Sequence, residues 1–183
     1  RKYYKNNFLE IGAGIGSFTD KYKRNIKNIF LTEIDKNNLN ILKKKYQNDT
    51  NVTILECEVS NISQKFNTIC HFNVLEHVKE DKEEIINCLN IINKDGYLVI
   101  LAPAHNELYG NLDREVGHYR RYKKSFFKDA INSVKSQTYR NLEIIVVFDD
   151  NNPEEYEFIK KNCINDKRIK IIKNNIKVLN LSK

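Results

Sequence analysis

The sequence predicts an α/β fold: a doubly wound, mostly parallel sheet with helices on both faces. Three observations carry this reading. Short apolar strands alternate with helical patterns over the first 125 residues. A glycine-rich loop joins the first strand to the first helix, as at the ligand end of a parallel strand. A fully apolar run, Tyr97–Ala102, supplies a fifth strand ended by Pro103.

Taken in order, residues 1–7 are basic and aromatic and read as the end of a helix or arm. Residues 8–11 read as the first strand and 17–25 as a helix. Asn28–Glu33, β-branched and aromatic, reads as the second strand, closing on Glu33. Leu39, Ile41 and Leu42 fit a helix running to about Tyr46. Val52–Cys57 and Phe66–Phe72 read as the third and fourth strands. Residues 80–93 form a helix with Ile85, Ile86, Leu89 and Ile92 on one face. Lys94-Asp95-Gly96 reads as a turn into the fifth strand. Right-handed crossovers are expected throughout.

The loop after the first strand, Glu10-Ile-Gly-Ala-Gly-Ile-Gly16, narrows the ligand. Glycines at 12, 14 and 16 let the backbone turn sharply and approach a ligand without a side chain in the way. A helix starting near Ser17 points free N–H groups and its positive dipole end at whatever lies over the loop. A dinucleotide fingerprint needs G-x-G-x-x-G, and the third glycine here comes one residue early, which counts against NAD. No G-x-x-x-x-G-K-[ST] occurs, so a nucleoside-triphosphate loop is excluded. Glu33 lies 17 residues beyond Gly16, at the end of the next strand. There its carboxylate is expected beside the loop, in reach of two ribose hydroxyls. Asp35 is a competing acid nearby.

The pattern Glu-x-Gly-x-Gly-x-Gly resembles motif I of class I S-adenosylmethionine (SAM) methyltransferases, whose sheet is Rossmann-like. That resemblance implies SAM as cofactor, held by Glu10, Gly12, Ala13, Gly14 and Gly16, with Glu33 and Ile34 at the next strand end. Ile54–Ser60 is similar to the third motif of the family and implies adenine contacts from Glu58 and Val59. The family more often has Asp where Glu58 stands. Phe72-Asn-Val-Leu-Glu-His77 resembles the motif after the fourth strand and implies Asn73 beside the methionine moiety. Pro103–Asp113 and Gly117-His-Tyr-Arg-Arg-Tyr122 resemble a bacterial subgroup that accompanies surface-polysaccharide and glycosyl-transfer genes. The resemblance covers about residues 8–125.

An acceptor hydroxyl or amine needs help losing its proton. His77, His105 and His118 follow strand ends on the ligand side, and each also fits a plain loop histidine. His118 is the leading catalytic candidate, flanked by aromatics and arginines, with His77 second. Tyr109, Tyr119, Arg120 and Arg121 are candidate substrate-binding residues. The arginines suit an anionic acceptor such as a phosphate or sugar acid, or else a solvated basic loop. No metal site is assigned from the sequence.

Net charge is +7, spread as +4 over residues 1–60, zero over 61–125 and +3 over 126–183. No basic stripe interleaves with aromatics, so no nucleic-acid partner is expected. A small-molecule or glycan-linked acceptor is expected instead. No apolar run approaches the roughly 18 residues of a membrane span. Cys57, Cys70, Cys88 and Cys163 are scattered without C-x-x-C and read as reduced thiols of a cytoplasmic protein. The chain opens on Arg1 rather than Met, which leaves room for a preceding piece. Nothing in the sequence sets an oligomeric state.

After about Ser125 the character changes. Phe127–Val147 and Phe148-Asp-Asp-Asn-Asn-Pro153 resemble the early part of a family 2, GT-A glycosyltransferase. That resemblance implies a donor-nucleotide role for Asp149 or Asp150, against the simpler reading of an acidic turn. No D-x-D motif follows. The expected domains are 1–125, SAM-binding, and 126–183, glycosyltransferase-like. Helices at 124–137 and 154–163 and strands at 142–148 and 168–172 are expected to extend the first sheet. A partial glycosyltransferase in a fusion, or a non-catalytic scaffold, are the competing readings.

Overall fold

The computed structural model describes residues 6–103, 106–122, 144–148, 157, 160–161 and 169–173. The chain divides into two units, Arg1–Phe127 and Lys128–Lys183.

In the first unit, β1 (Phe8–Ile11), β2 (Ile29–Thr32), β3 (Val52–Leu55), β4 (Phe66–Phe72) and β5 (Ile92–Leu101) form one sheet in the order β3-β2-β1-β4-β5. Every pairing is parallel. The central strand is buried along its whole length. Successive residues of a strand point to opposite faces, and Phe8 and Leu9 enter different cores. Phe8 packs with Ile29, Leu31, Leu42 and Tyr46. Leu9 packs with Val59, Phe66, Ile69 and Cys88. The strand order reverses direction between β1 and β4, so the loops after β1, β2 and β4 open at the same end of the sheet. That switch point is where doubly wound sheets bind ligands.

Helices are α1 (Thr19–Tyr22), α2 (Lys36–Tyr46), α3 (Asp81–Asn90) and α4 (Asn111–Glu115). Asp35 caps α2, accepting from Asn38 N–H at 2.9 Å. The helix expected over 17–25 is broken: α1 is four residues long and a 3-10 turn, Lys23–Asn25, follows it. Thr19 is β-branched and its hydroxyl bonds Glu10, so helix propensity yields to a tertiary contact. A single turn of this length makes a weak dipole site.

Two further expectations change. Helix α3 ends at Asn90, and Ile92 already belongs to β5. Ile86, expected on the buried face, is exposed, while Cys88 is buried. The Lys94–Gly96 turn lies inside β5 as a bulge, where the register against β4 shifts between Phe66 and Thr68. Asp95 takes φ +62° there.

In the second unit, β6 (Ile144–Phe148) and β7 (Ile169–Lys173) pair in parallel with each other as a separate sheet. The strands expected at 142–148 and 168–172 are thus present, and they pair with each other. The two are in register from Ile144↔Ile169 to Phe148↔Lys173. Asp149, Asp150, Cys163, His105 and the segments 124–137 and most of 154–163 lie outside the described residues.

Candidate functional site

The three loop glycines share a left-handed backbone but have three different reasons for being glycine. Gly12, Gly14 and Gly16 have φ of +62°, +57° and +77°. A Cβ on Gly12 would stand 2.8 Å from a methyl of Val74, and one on Gly16 would stand 2.5 Å from the Tyr46 hydroxyl. Those two positions are closed by packing. A Cβ on Gly14 would meet nothing within 4 Å, so the middle of the loop faces open space. The loop is tied to β2 by Ala13 N–H donating to Thr32 O at 2.9 Å and Gly12 N–H to Thr32 Oγ1 at 3.2 Å.

Glu33 directly follows β2 beside that opening and is 7% exposed. Its Oε2 accepts from Gly14 N–H at 2.7 Å, and its Oε1 accepts from Ile34 N–H and Asp35 N–H, both at 2.8 Å. A carboxylate has about four lone-pair positions, and three are engaged here. Accepting two hydroxyls would require releasing one N–H. Ile34 is 66% exposed and gives the same end of the sheet an apolar platform. Asp35 is engaged as the α2 cap.

Other predicted contacts are placed differently. Glu10 is fully buried, and its Oε2 accepts from the hydroxyls of Thr19 and Tyr22. Burial pushes its carboxyl above the usual range, against those two hydrogen bonds. It anchors α1 beneath the loop rather than facing the opening. Val59 is 2% exposed and its side chain belongs to the core. Glu58 is exposed at the start of a 3-10 turn, Val59–Asn61. Asn73 is exposed at φ +55°, directly after β4, with its N–H on Leu101 O at 2.8 Å.

The second half of the site joins the turn after β4 to the Gly117–Tyr122 segment. Helix α4 ends in a Schellman reversal: Gly117 takes φ +82°, its N–H donates to Arg114 O, and His118 N–H donates to Asp113 O. This brings His118 Nδ1 to 2.9 Å from Asp113 Oδ1. Asp113 is buried and also accepts from Arg121 Nε at 2.7 Å and Gly110 N–H at 2.9 Å. The Arg121 guanidinium holds its carboxyl well below the usual range. Because that carboxylate accepts, the His118 Nδ1 carries a proton, and in the neutral ring Nε2 keeps the lone pair.

Tyr119 N–H donates to Glu76 O at 2.8 Å. The His77 and His118 rings meet edge to face, 4.6 Å between centroids. Glu76 is 1% exposed, and its Oε2 has no hydrogen-bond partner. Burial pushes its carboxyl up, while its own N–H and the two histidines oppose the shift.

The expectation that Arg120 and Arg121 take an anionic acceptor changes. Arg121 serves Asp113, and Arg120 pairs with Asp81 at 2.7 Å and donates to Lys79 O at 2.6 Å. Arg120 ties the segment to the turn after β4, and Arg121 ties it to α4. The Tyr109 hydroxyl donates to His118 O at 2.8 Å, and Tyr119 is 55% exposed. Residues not singled out from the sequence are Thr32, Tyr46, Glu76 and Asp113. Asp113 alone carried a signal, standing three residues after Gly110 where a first-turn carboxylate reaches back to the N-cap N–H.

Residues 2–142 match a family described as a methyltransferase domain, and residues 116–182 match glycosyl transferase family 2. Ribosomal RNA small subunit methyltransferase A of Wigglesworthia glossinidia brevipalpis is 27% identical over 131 residues, 63% of this chain and 50% of that protein. The chain thus spans half the length of that relative. Among solved structures, the YcgJ protein of Bacillus subtilis aligns with a TM-score of 0.61 at 16% identity, covering 73% of this chain and 62% of that one. The N-methyltransferase NodS of Bradyrhizobium japonicum, in complex with S-adenosylhomocysteine, aligns at 0.53 and 19% identity, covering 63% and 59%. Magnesium protoporphyrin IX methyltransferase of Synechocystis, with bound SAM, aligns at 0.53 and 14% identity, covering 69% and 57%. At these identities the structural likenesses establish the fold. With the family match running over most of its length, the chain belongs to the methyltransferase-domain family and has the class I, SAM-dependent methyltransferase fold.

Proposed function

We propose that this chain transfers a methyl group from SAM to a small or carbohydrate-linked acceptor. The observation that carries this is the loop tip: Gly14 opens onto free space and its N–H is held by Glu33. A buried carboxylate beside an uncovered glycine backbone fits a ribose edge, and exposed Ile34 fits an adenine face. Bound there, SAM supplies an already activated sulfonium methyl. The protein's task is then to align the acceptor and manage its proton. Asn73 stands at the β4 end of the opening. His118, oriented by Asp113, forms the proton-handling centre with His77. Tyr109 fixes the His118 backbone, and exposed Tyr119 lines the acceptor side.

Carbohydrate-linked acceptors are favoured by the glycosyl transferase family 2 match over residues 116–182. A second reading, an RNA acceptor, is favoured by the name of the 27% identical relative. The free thiols of Cys57, Cys70 and Cys88 support a cytoplasmic setting. Among the described residues no helix is long and apolar enough to cross a membrane.

Isothermal titration with S-adenosylhomocysteine tests the cofactor. Saturable one-site binding is expected, and absence of binding to the folded chain refutes the reading. Labelled SAM offered with glycan-linked extracts and with ribosomal RNA then separates the acceptor classes. Stabilisation by a nucleotide sugar with manganese, without stabilisation by S-adenosylhomocysteine, would favour the glycosyltransferase-fragment reading instead.

A further inference from the structure

Glu76, His77 and His118 each offer a ligand atom, and the three atoms lie within 4.8 Å of one another. Two imidazoles and a carboxylate are the donor set of open, three-ligand zinc sites. Three further observations point the same way. The Glu76 carboxylate is buried, yet its Oε2 has no hydrogen-bond partner. A buried carboxylate oxygen ordinarily has one. His118 donates Nδ1–H to a buried carboxylate, Asp113, at 2.9 Å. That outer carboxylate fixes a ligating histidine's tautomer and raises its basicity. His77 is solvent-exposed, which leaves an entry path and room for open coordination positions.

We propose that Glu76, His77 and His118 bind a divalent transition-metal ion of the zinc type, with Asp113 as the positioning carboxylate behind His118. Glu76 gives an anionic oxygen from a 3-10 turn, Leu75–His77, and the two histidines give ring nitrogens. The binding claim stands on these residues alone. What the ion does rests on the methyl-transfer reading. An acceptor hydroxyl coordinated at an open position becomes more acidic and releases its proton to solvent, so that its oxygen enters transfer as the better nucleophile. With the ion bound, the two imidazoles hold it and manage the acceptor proton through it; the direct proton-handling role of His118 and His77 applies to the metal-free chain. The buried trio His71, Glu84 and Cys88 also clusters, but His71 and Cys88 are fully buried and open to no ligand.

The test uses the full chain, stripped with chelator, and titrates Zn2+ by calorimetry and Co2+ by visible absorption. One equivalent of Zn2+ should bind, and Co2+ should give d–d bands of low-coordinate N/O ligation. His77→Ala changes an exposed residue and should keep its far-UV circular dichroism while losing affinity by tenfold or more. Glu76→Gln should lose the Co2+ bands, and Asp113→Asn should weaken Zn2+ binding about 10–100-fold. No binding by wild type, or equal binding by His77→Ala and Glu76→Gln, overturns the proposal. S-adenosylhomocysteine is titrated in parallel. Cofactor binding without metal binding refutes the metal site alone, and metal binding without cofactor binding refutes the methyltransferase reading alone.

Discussion

The backbone N–H of Gly14 donates to Glu33 Oε2 across 2.7 Å, so the tip of the loop after β1 and the end of β2 form one unit. The carboxylate does two things at once. It holds the loop in its left-handed conformation, and it presents what is left of its acceptor capacity to the opening. Glu33→Ala removes both. Hydrogen bonds to charged groups contribute about 1.5–3 kcal/mol each, so S-adenosylhomocysteine affinity should fall at least tenfold. Far-UV circular dichroism should be unchanged, because the β2 pairing uses backbone groups. Normal cofactor affinity in Glu33→Ala would remove this residue from the site.

The glycines should separate into two classes. Gly14→Ala puts a methyl into open space and costs only the left-handed strain, about 1–2 kcal/mol. It should fold, yet bind S-adenosylhomocysteine poorly, because the methyl occupies the opening. Gly16→Ala drives a methyl to 2.5 Å from the Tyr46 hydroxyl. Overpacking adds about 1–3 kcal/mol to the strain, so this variant should melt well below Gly14→Ala. Thermal melts of the two beside wild type decide it, and equal melting temperatures would mean Tyr46 moves aside freely.

Much of this was legible in the sequence, for physical reasons. Strand β4 matches its expected span, Phe66–Phe72, because aromatic and β-branched residues dominate the run between Lys65 and Asn73. That Glu33 would lie beside the loop was legible, because adjacent parallel strands bring their ends together. Strand β5 was misread at its start because Lys94-Asp95-Gly96 has turn chemistry, and the fold uses it as a bulge within the ladder. The roles of Arg120 and Arg121 were hidden, because nothing local says that Asp81 and Asp113 lie 2.7 Å away. Glu76 was hidden too: its burial comes from tertiary packing of a 3-10 turn.

Acid should loosen the core at His71. Burial pulls its pKa from 6.5 to about 4, and its Nδ1 has no hydrogen-bond partner. The unfolded chain therefore binds more protons between these values, so stability falls as pH drops from about 6.5 to 4. The full effect is about 3 kcal/mol at 1.36 kcal/mol per unit. Glu84, 3.8 Å away, works oppositely: burial, then the Glu58 charge, push it from 4.5 up to about 6. It favours the folded state below about 4.5 and loses that contribution as pH rises through 6, so the two partly cancel near pH 5. His71→Leu removes the larger slope. Its melting temperature should hold between pH 6.5 and 4.5, or rise, while wild type declines. Parallel declines in both would show that another group controls acid stability.

His118 should carry its proton on Nδ1, and this is visible without knowing the acceptor. Asp113 accepts from that nitrogen at 2.9 Å while Arg121 donates to the same oxygen at 2.7 Å. With the guanidinium keeping the carboxylate ionised, Nδ1–H is the tautomer that avoids a lone-pair clash. Nitrogen-15 correlation spectra of the neutral ring should therefore show a protonated Nδ1 and an unprotonated Nε2. Asp113→Asn lets the amide present either its oxygen or its NH2 to the ring, so a mixture of tautomers should appear. Arg121→Gln should change the spectrum less, since the carboxylate remains. A wild-type ring protonated on Nε2 would remove the free lone pair that proton handling and metal ligation both need, and would refute the assigned role of Asp113.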